Sequence, residues 1–106
     1  MEKFVVILKE KRKGELDANL LRRHIDHLRH LSREGKLMIA GPFKNNDHGM
    51  LILNCEDLDE AINLVENDPF IKEKYYHTYE INELLVANDE NNWLMDNPQT
   101  KGNLVH

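Results

Sequence analysis

The chain holds a single cysteine, Cys55, so no internal disulfide can brace it. A lone thiol with no export signal fits a reducing cytoplasm. Long hydrophobic runs are missing too. The main early apolar stretch, Phe4 to Leu8, is too short for a signal-peptide core or a membrane span. Basic residues do not predominate: 14 Lys and Arg face 19 Asp and Glu, for a net charge of -5. That balance argues against nucleic acid or an anionic membrane as the partner. There is no P-loop, dinucleotide fingerprint, zinc-ligand spacing or Gly-x-Ser-x-Gly elbow, and no internal repeat. Nucleotide hydrolysis, dinucleotide redox chemistry, structural zinc and serine-hydrolase chemistry therefore have no sequence support.

What is present suits one soluble domain. The 106 residues are 41% hydrophobic and 31% charged, enough for a core of modest size. Phe4 to Leu8 reads as a buried strand, followed by a charged loop from Lys9 to Glu15. Asp17 is a plausible N-cap and Gly35 a plausible C′ residue, which places a helix over roughly Ala18 to Glu34. Leu37 to Ala40 is a second strand, closed by Gly41-Pro42. The stretch Lys44 to Gly49 is rich in turn formers and predicts a hairpin loop. Met50 to Leu53 is the third strand. Asp57 to Glu60 resembles a capping box, and Leu58, Ala61, Ile62 and Val65 mark the inner face of a second helix. Pro69 stops that helix, Phe70 to Lys74 is a short turn, and Tyr75 to Val86 is a fourth strand.

The order strand, helix, strand, strand, helix, strand predicts an α+β, ferredoxin-like βαββαβ domain over residues 1–86. It has a four-stranded antiparallel sheet with both helices on one face. A polar extension follows over residues 87–106, with Trp93-Leu94-Met95 as its apolar island. Phe4, Val6 and Leu8 point to one face of the first strand, and Val5 and Ile7 to the other. Both faces are apolar, but helices cover only one. A second copy of the sheet, in a homodimer, is the expected cover.

Chemistry-bearing residues are few. On a wheel of about 100° per residue, Leu21, Ile25 and Leu28 define the centre of the long helix's apolar arc. Leu20 and Leu31 lie at one edge. His24 falls between that edge and the centre, so it faces inward. His27 lies just outside the edge and His30 nearly opposite, so the three histidines do not converge on a metal. A histidine at the position of His24 is satisfied by one backbone hydrogen bond. An Asp before Pro, as in Asp68-Pro69, is a common helix start. Tyr75, Tyr76 and Tyr79 read as strand and interface residues, and His77 as open to either face. Glu56 and Asp57 beside Cys55 oppose ionisation of its thiol.

The stretch His24-x-x-x-Leu28-x-x-Leu31-x-x-x-Gly35-x-Leu37-x-x-Ala40-Gly41-Pro42, with Asp68-Pro69-Phe70 and Tyr79-Glu80-Ile81, resembles the YciI-like (YCII-related) family. The resemblance spans nearly all of Met1 to Leu85. It implies a ferredoxin-like monomer paired into a dimeric α+β barrel, related to muconolactone isomerases and similar small cleft enzymes. It also implies that His24 and Asp68 form an acid/base dyad. In that dyad Asp68 would orient the imidazole and stabilise its protonated form. The expected function is a lyase- or isomerase-type enzyme that uses no cofactor and no metal, acting on a small organic acid or cyclic substrate. The alternative is a metabolite-binding, regulatory or accessory dimer without catalysis, whose tail docks a larger partner through Trp93 and Met95.

Overall fold

The first strand shows how the sequence builds this fold. In the computed structural model, which describes residues 1–97, β1 spans Glu2–Lys11. Phe4, Val6 and Leu8 are buried on one face, and Val5 and Ile7 are half-buried on the other. The strand exceeds its apolar centre because its charged ends also find ladder partners, Lys3 opposite Asn54 and Leu84, and Lys9 opposite Thr78. After it come α1 (Ala18–Arg33), β2 (Leu37–Pro42), β3 (Gly49–Cys55), α2 (Leu58–Glu66), α3 (Pro69–Lys72) and β4 (Tyr76–Leu84). A 3₁₀ turn at Asp89–Leu94 follows. Residues 98–106, the end of the expected 87–106 extension, lie outside the described residues.

The strands form one antiparallel sheet in the order β2-β3-β1-β4. Each βαβ half is split by one strand of the other half, which is the ferredoxin-like arrangement expected from the element order. The β2–β3 loop closes through Phe43 N–H to the His48 carbonyl (2.9 Å), and Asn46 accepts from His48 N–H (2.8 Å). The fourth strand starts at Tyr76, one residue later than its apolar run. Lys74 is left-handed (φ 57°), and Tyr75 N–H turns back to the Phe70 carbonyl at 2.9 Å.

Caps set the helix limits. Asp17 accepts from Asn19 N–H (3.1 Å) to start α1. Gly35 ends it with φ +73°, a conformation that suits glycine, while Lys36 N–H closes on the Leu31 carbonyl (2.8 Å). Asp57 caps α2 by accepting from Glu60 N–H at 2.8 Å. The return half of a capping box is replaced, because the Glu60 carboxylate pairs with Lys36 at 2.7 Å.

The core lies between the sheet and the helices. Phe4, Val6, Leu53, Leu20 and Val65 are among its most buried side chains. Each contributes about 1.5–3 kcal/mol on burial. Along α1 the buried line is Leu20, His24 and Leu31, not the arc centre derived from the wheel. Leu21 is 38% exposed, and Ile25 and Leu28 are half-buried. Through the buried line α1 packs on α3, and its apolar centre lines a cavity. In α2, Ala61 and Val65 are buried and Ile62 half-buried, but Leu58 at the first turn is exposed.

Candidate active site

The site is assembled at the junction of α2 and α3. Pro69 lacks a backbone donor and has a fixed φ, so it suits the first position of a helix. Asp68 before it acts as N-cap, and its Oδ1 accepts from Phe70 N–H at 2.9 Å. The same Oδ1 lies 2.7 Å from Nδ1 of His24 on α1. The contact is sealed, since Asp68 is 1% exposed and His24 is also buried. Asp68 Oδ2 is buried with no hydrogen-bond partner among the described residues. A carboxylate only accepts, so Nδ1 is the ring nitrogen that donates, which leaves Nε2 for other chemistry.

Phe70 fixes the plane of the imidazole. The two rings stack with centroids 3.7 Å apart and planes 6° apart. Phe70 continues into Tyr75 (4.6 Å) and Tyr76 (5.9 Å), and the two tyrosines meet edge to face at 5.2 Å. Arg12 lies over the Tyr75 ring at 5.7 Å. The Tyr76 hydroxyl reaches across to Gly49, where a Cβ would sit 3.2 Å from it. Glycine at that strand end therefore leaves room for the phenol. Burial raises the Tyr76 phenol above the ordinary tyrosine range.

His24, Phe70, Tyr75 and Tyr76 line a cavity of about 330 Å³ between α1 and the sheet. Leu21, Ile25, Leu28 and Leu51 form apolar walls, and Ala40-Gly41-Pro42 and Lys11 lie at its margin. Small-molecule sites have about this size and this mostly apolar lining with a few polar groups.

A model of the YCII-related domain matches residues 3–85 of the chain. The chain belongs to the YCII-related domain family. The match covers the four strands, apart from Glu2 at the start of β1, and the three α-helices, and ends before the 3₁₀ turn. A search of the curated proteins gives no match. Among solved structures, muconolactone isomerase superposes with a TM-score of 0.67 at 14% identity, covering 82% of this chain and 92% of the other. The 5-chloro-2-hydroxyhydroquinone dehydrochlorinase of Burkholderia phenoliruptrix AC1100, in complex with 2,5-dihydroxybenzoquinone, superposes with a TM-score of 0.55. It is 24% identical, covering 82% of this chain and 97% of that one. At these identities the likeness is one of fold.

The other singled-out residues have separate environments in this YCII-related domain. His27 donates from Nε2 to the Leu64 carbonyl (3.1 Å), tying α1 to α2, and burial lowers its pKa below the usual histidine value. His30 is exposed and pairs with Glu34 at 3.2 Å. The α1 histidines thus have three different partners. His77 is exposed, and Tyr79 reaches Glu66 at 3.1 Å. The Cys55 thiol is pushed up to about 11, first by burial and then by Glu60, with Asp57 a minor cause. Glu60 comes from the next helix turn, so the charges adjacent in sequence were not the main ones. From sequence, Tyr75 and Tyr76 read as strand and interface residues, and Lys11 falls in the loop from Lys9 to Glu15. All three line the cavity. The tyrosines had a signal in their closeness to Asp68-Pro69-Phe70. Lys11 had none, because strand alternation points it away.

Proposed function

We propose that this protein is a cofactor-independent enzyme of lyase or isomerase type, in which His24 moves a proton on a small cyclic substrate. The observation that carries the reading is the sealed 2.7 Å contact of Asp68 with His24, a residue that also lines the cavity. Nε2 takes a proton from the substrate and returns it to another atom or to a leaving group. Asp68 holds the tautomer that keeps the Nε2 lone pair free, and stabilises the imidazolium once the proton arrives. Phe70 keeps the ring from turning, and the apolar walls exclude water. The two structural neighbours, an isomerase and a dehydrochlorinase by name, are of matching reaction types, which adds support by analogy of fold alone.

The test is proton exchange in deuterated water. Small cyclic carbon acids are incubated with the protein, and incorporation is followed by NMR. Incorporation is expected with the natural chain and a loss of at least about 100-fold with His24→Gln. Binding of the compounds with no incorporation, or equal incorporation by the variant, favours the metabolite-binding module instead.

The same reading includes a homodimer. Ile39, Ile52 and Val5 stand in one cross-strand row on the sheet face away from the helices, with Ile7 beside them. Ile39 is exposed, and Val5, Ile7 and Ile52 are only half-buried among the described residues. A second copy covering it would bury on the order of 1,200 Å² or more in total. Light scattering at micromolar concentration is expected to give twice the chain mass, and a monomer removes the claim. No helix among the described residues is long and apolar enough to cross a membrane.

A further inference from the structure

Strict alternation along β1 would put Lys11 on the outer face. Phe4, Val6 and Leu8 point inward, while Lys9 points outward and pairs with Glu80. Lys11 instead lines the cavity with its cross-strand partner Tyr76. Between Lys9 and Lys11 stands Glu10, in the left-handed region at φ 56°. That conformation is costly for a residue with a Cβ, and Glu lacks the short polar side chain that eases it for Asn or Asp. Strain of this kind clusters where a side chain must be aimed for function. Here it coincides with the turn of Lys11 into the cavity.

Among the described residues, the Lys11 ammonium pairs with Asp47 Oδ1 at 3.2 Å. Asp47 lies on the β2–β3 loop with its side chain 80% exposed. An ion pair so open to water is weak and readily exchanged. Among the described residues lining the cavity, Lys11 alone carries a fixed positive charge. The rest of the wall is aliphatic or aromatic, apart from His24. A cavity of about 150 Å³ already takes benzene, so 330 Å³ holds a substituted six-membered ring.

We propose that Lys11 is the specificity-determining residue of this cavity. It recognises the carboxylate or other ionised oxygen of a small ring compound whose ring lies against the Phe70–Tyr75–Tyr76 wall. Asp47 is the counter-ion that the ligand displaces. The inference rests on the cavity being the substrate site, as proposed above, and adds the ligand's charge and the residue that reads it.

The test uses benzoate and its uncharged size match benzamide, titrated into the full chain at pH 7.5. Chemical shifts of the His24 ring and of the Lys11 side chain report binding. Benzoate is expected to bind at least about tenfold tighter than benzamide, and Lys11→Met or Lys11→Gln to abolish the preference. Lys11→Arg retains it in part, and Asp47→Asn tightens benzoate severalfold by removing the competing anion. Glu10→Gly, which adopts the left-handed conformation freely, keeps the preference. A urea midpoint for each variant confirms folding. Equal binding of the two probes, or a benzoate preference that survives in both Lys11→Met and Lys11→Gln, overturns this inference alone and leaves the proton-transfer role of His24 standing. Failure of both probes to move the His24 resonances overturns both readings.

Discussion

Replacing Asp68 by Ala removes two interactions that share one oxygen. Oδ1 caps α3 through Phe70 N–H and accepts from His24 Nδ1. Loss of an N-cap costs about 1 kcal/mol. A buried donor left on His24 without its acceptor costs a further 1–3 kcal/mol or so. The expected total is about 2–4 kcal/mol. That is a large part of the roughly 5–15 kcal/mol typical of a domain, but not all of it. Asp68→Asn keeps an acceptor oxygen for both donors, but it loses the charge and leaves an unpartnered NH2 group where Oδ2 is buried, so a loss comparable to that of the Ala variant is expected. Urea unfolding at pH 7 reads these values. With a slope of about 2 kcal/mol per molar, the Ala variant's midpoint moves by roughly 1–2 M. A double-mutant cycle of His24→Ala with Asp68→Ala isolates the contact itself, with an expected coupling of about 1 kcal/mol or more. Zero coupling, or an Asp68→Ala cost near that of a cap alone, refutes the reasoning. Asp68 would then be a helix start that happens to lie beside an imidazole.

Three other outcomes follow from the same geometry. Burial lowers the His27 pKa in the folded chain. The unfolded chain therefore binds the proton first, and stability present above about pH 6.5 falls as pH drops from there through the folded value. Urea midpoints measured from pH 7.5 to 5 should fall, and fall less in His27→Gln. Cys55, fully buried with its thiol pushed up to about 11, should resist Ellman's reagent at pH 8 until urea unfolds the chain, and immediate reaction would contradict its burial. Truncation after Val86 removes Trp93, which is 61% exposed, so the shortened chain should remain folded and keep the proposed dimer, with a modestly lower melting temperature. An insoluble or monomeric product would make the removed segment part of the assembly.

The elements were legible because their signals are local. Asp17, Asp57 and Asp68 cap helices through their own side chains, and Gly35 takes the left-handed C′ position. The alternation of Phe4, Val6 and Leu8 needs only the pleat of one strand. Orientation was less legible. Periodicity gives the angles among Leu20, Leu21, His24 and Ile25, but not which of them meets protein and which meets a cavity. The wheel put the buried centre on Leu21 and Ile25, and the structure buries Leu20 and His24. The aromatic wall was legible only in its closeness to Asp68-Pro69-Phe70, and Lys11 was illegible, for a related reason. Phe70 reaches His24 through the packing of α3 on α1, the turn at Lys74 folds Tyr75 back onto Phe70, and Lys11 lines the cavity where β1 turns over at Glu10. No residue type announces a left-handed Glu.

In the proposed reaction, the sharing of Asp68 Oδ1 couples folding to chemistry. An acid/base histidine must hold its working nitrogen within a fraction of an ångström, and a loop-borne carboxylate would not enforce that. Here the orienting carboxylate is fixed by Phe70 N–H, and the ring of the same Phe70 stacks on the imidazole. The segment Asp68-Pro69-Phe70 thus sets the tautomer, direction and plane of His24 in one turn of chain. Pro69 contributes by fixing φ where α3 begins, so that the backbone N–H of Phe70 is presented to the carboxylate. A domain of this size has little core to spare for separate supports. Using one helix start both to end the α2 connection and to orient His24 meets both needs with the same three residues.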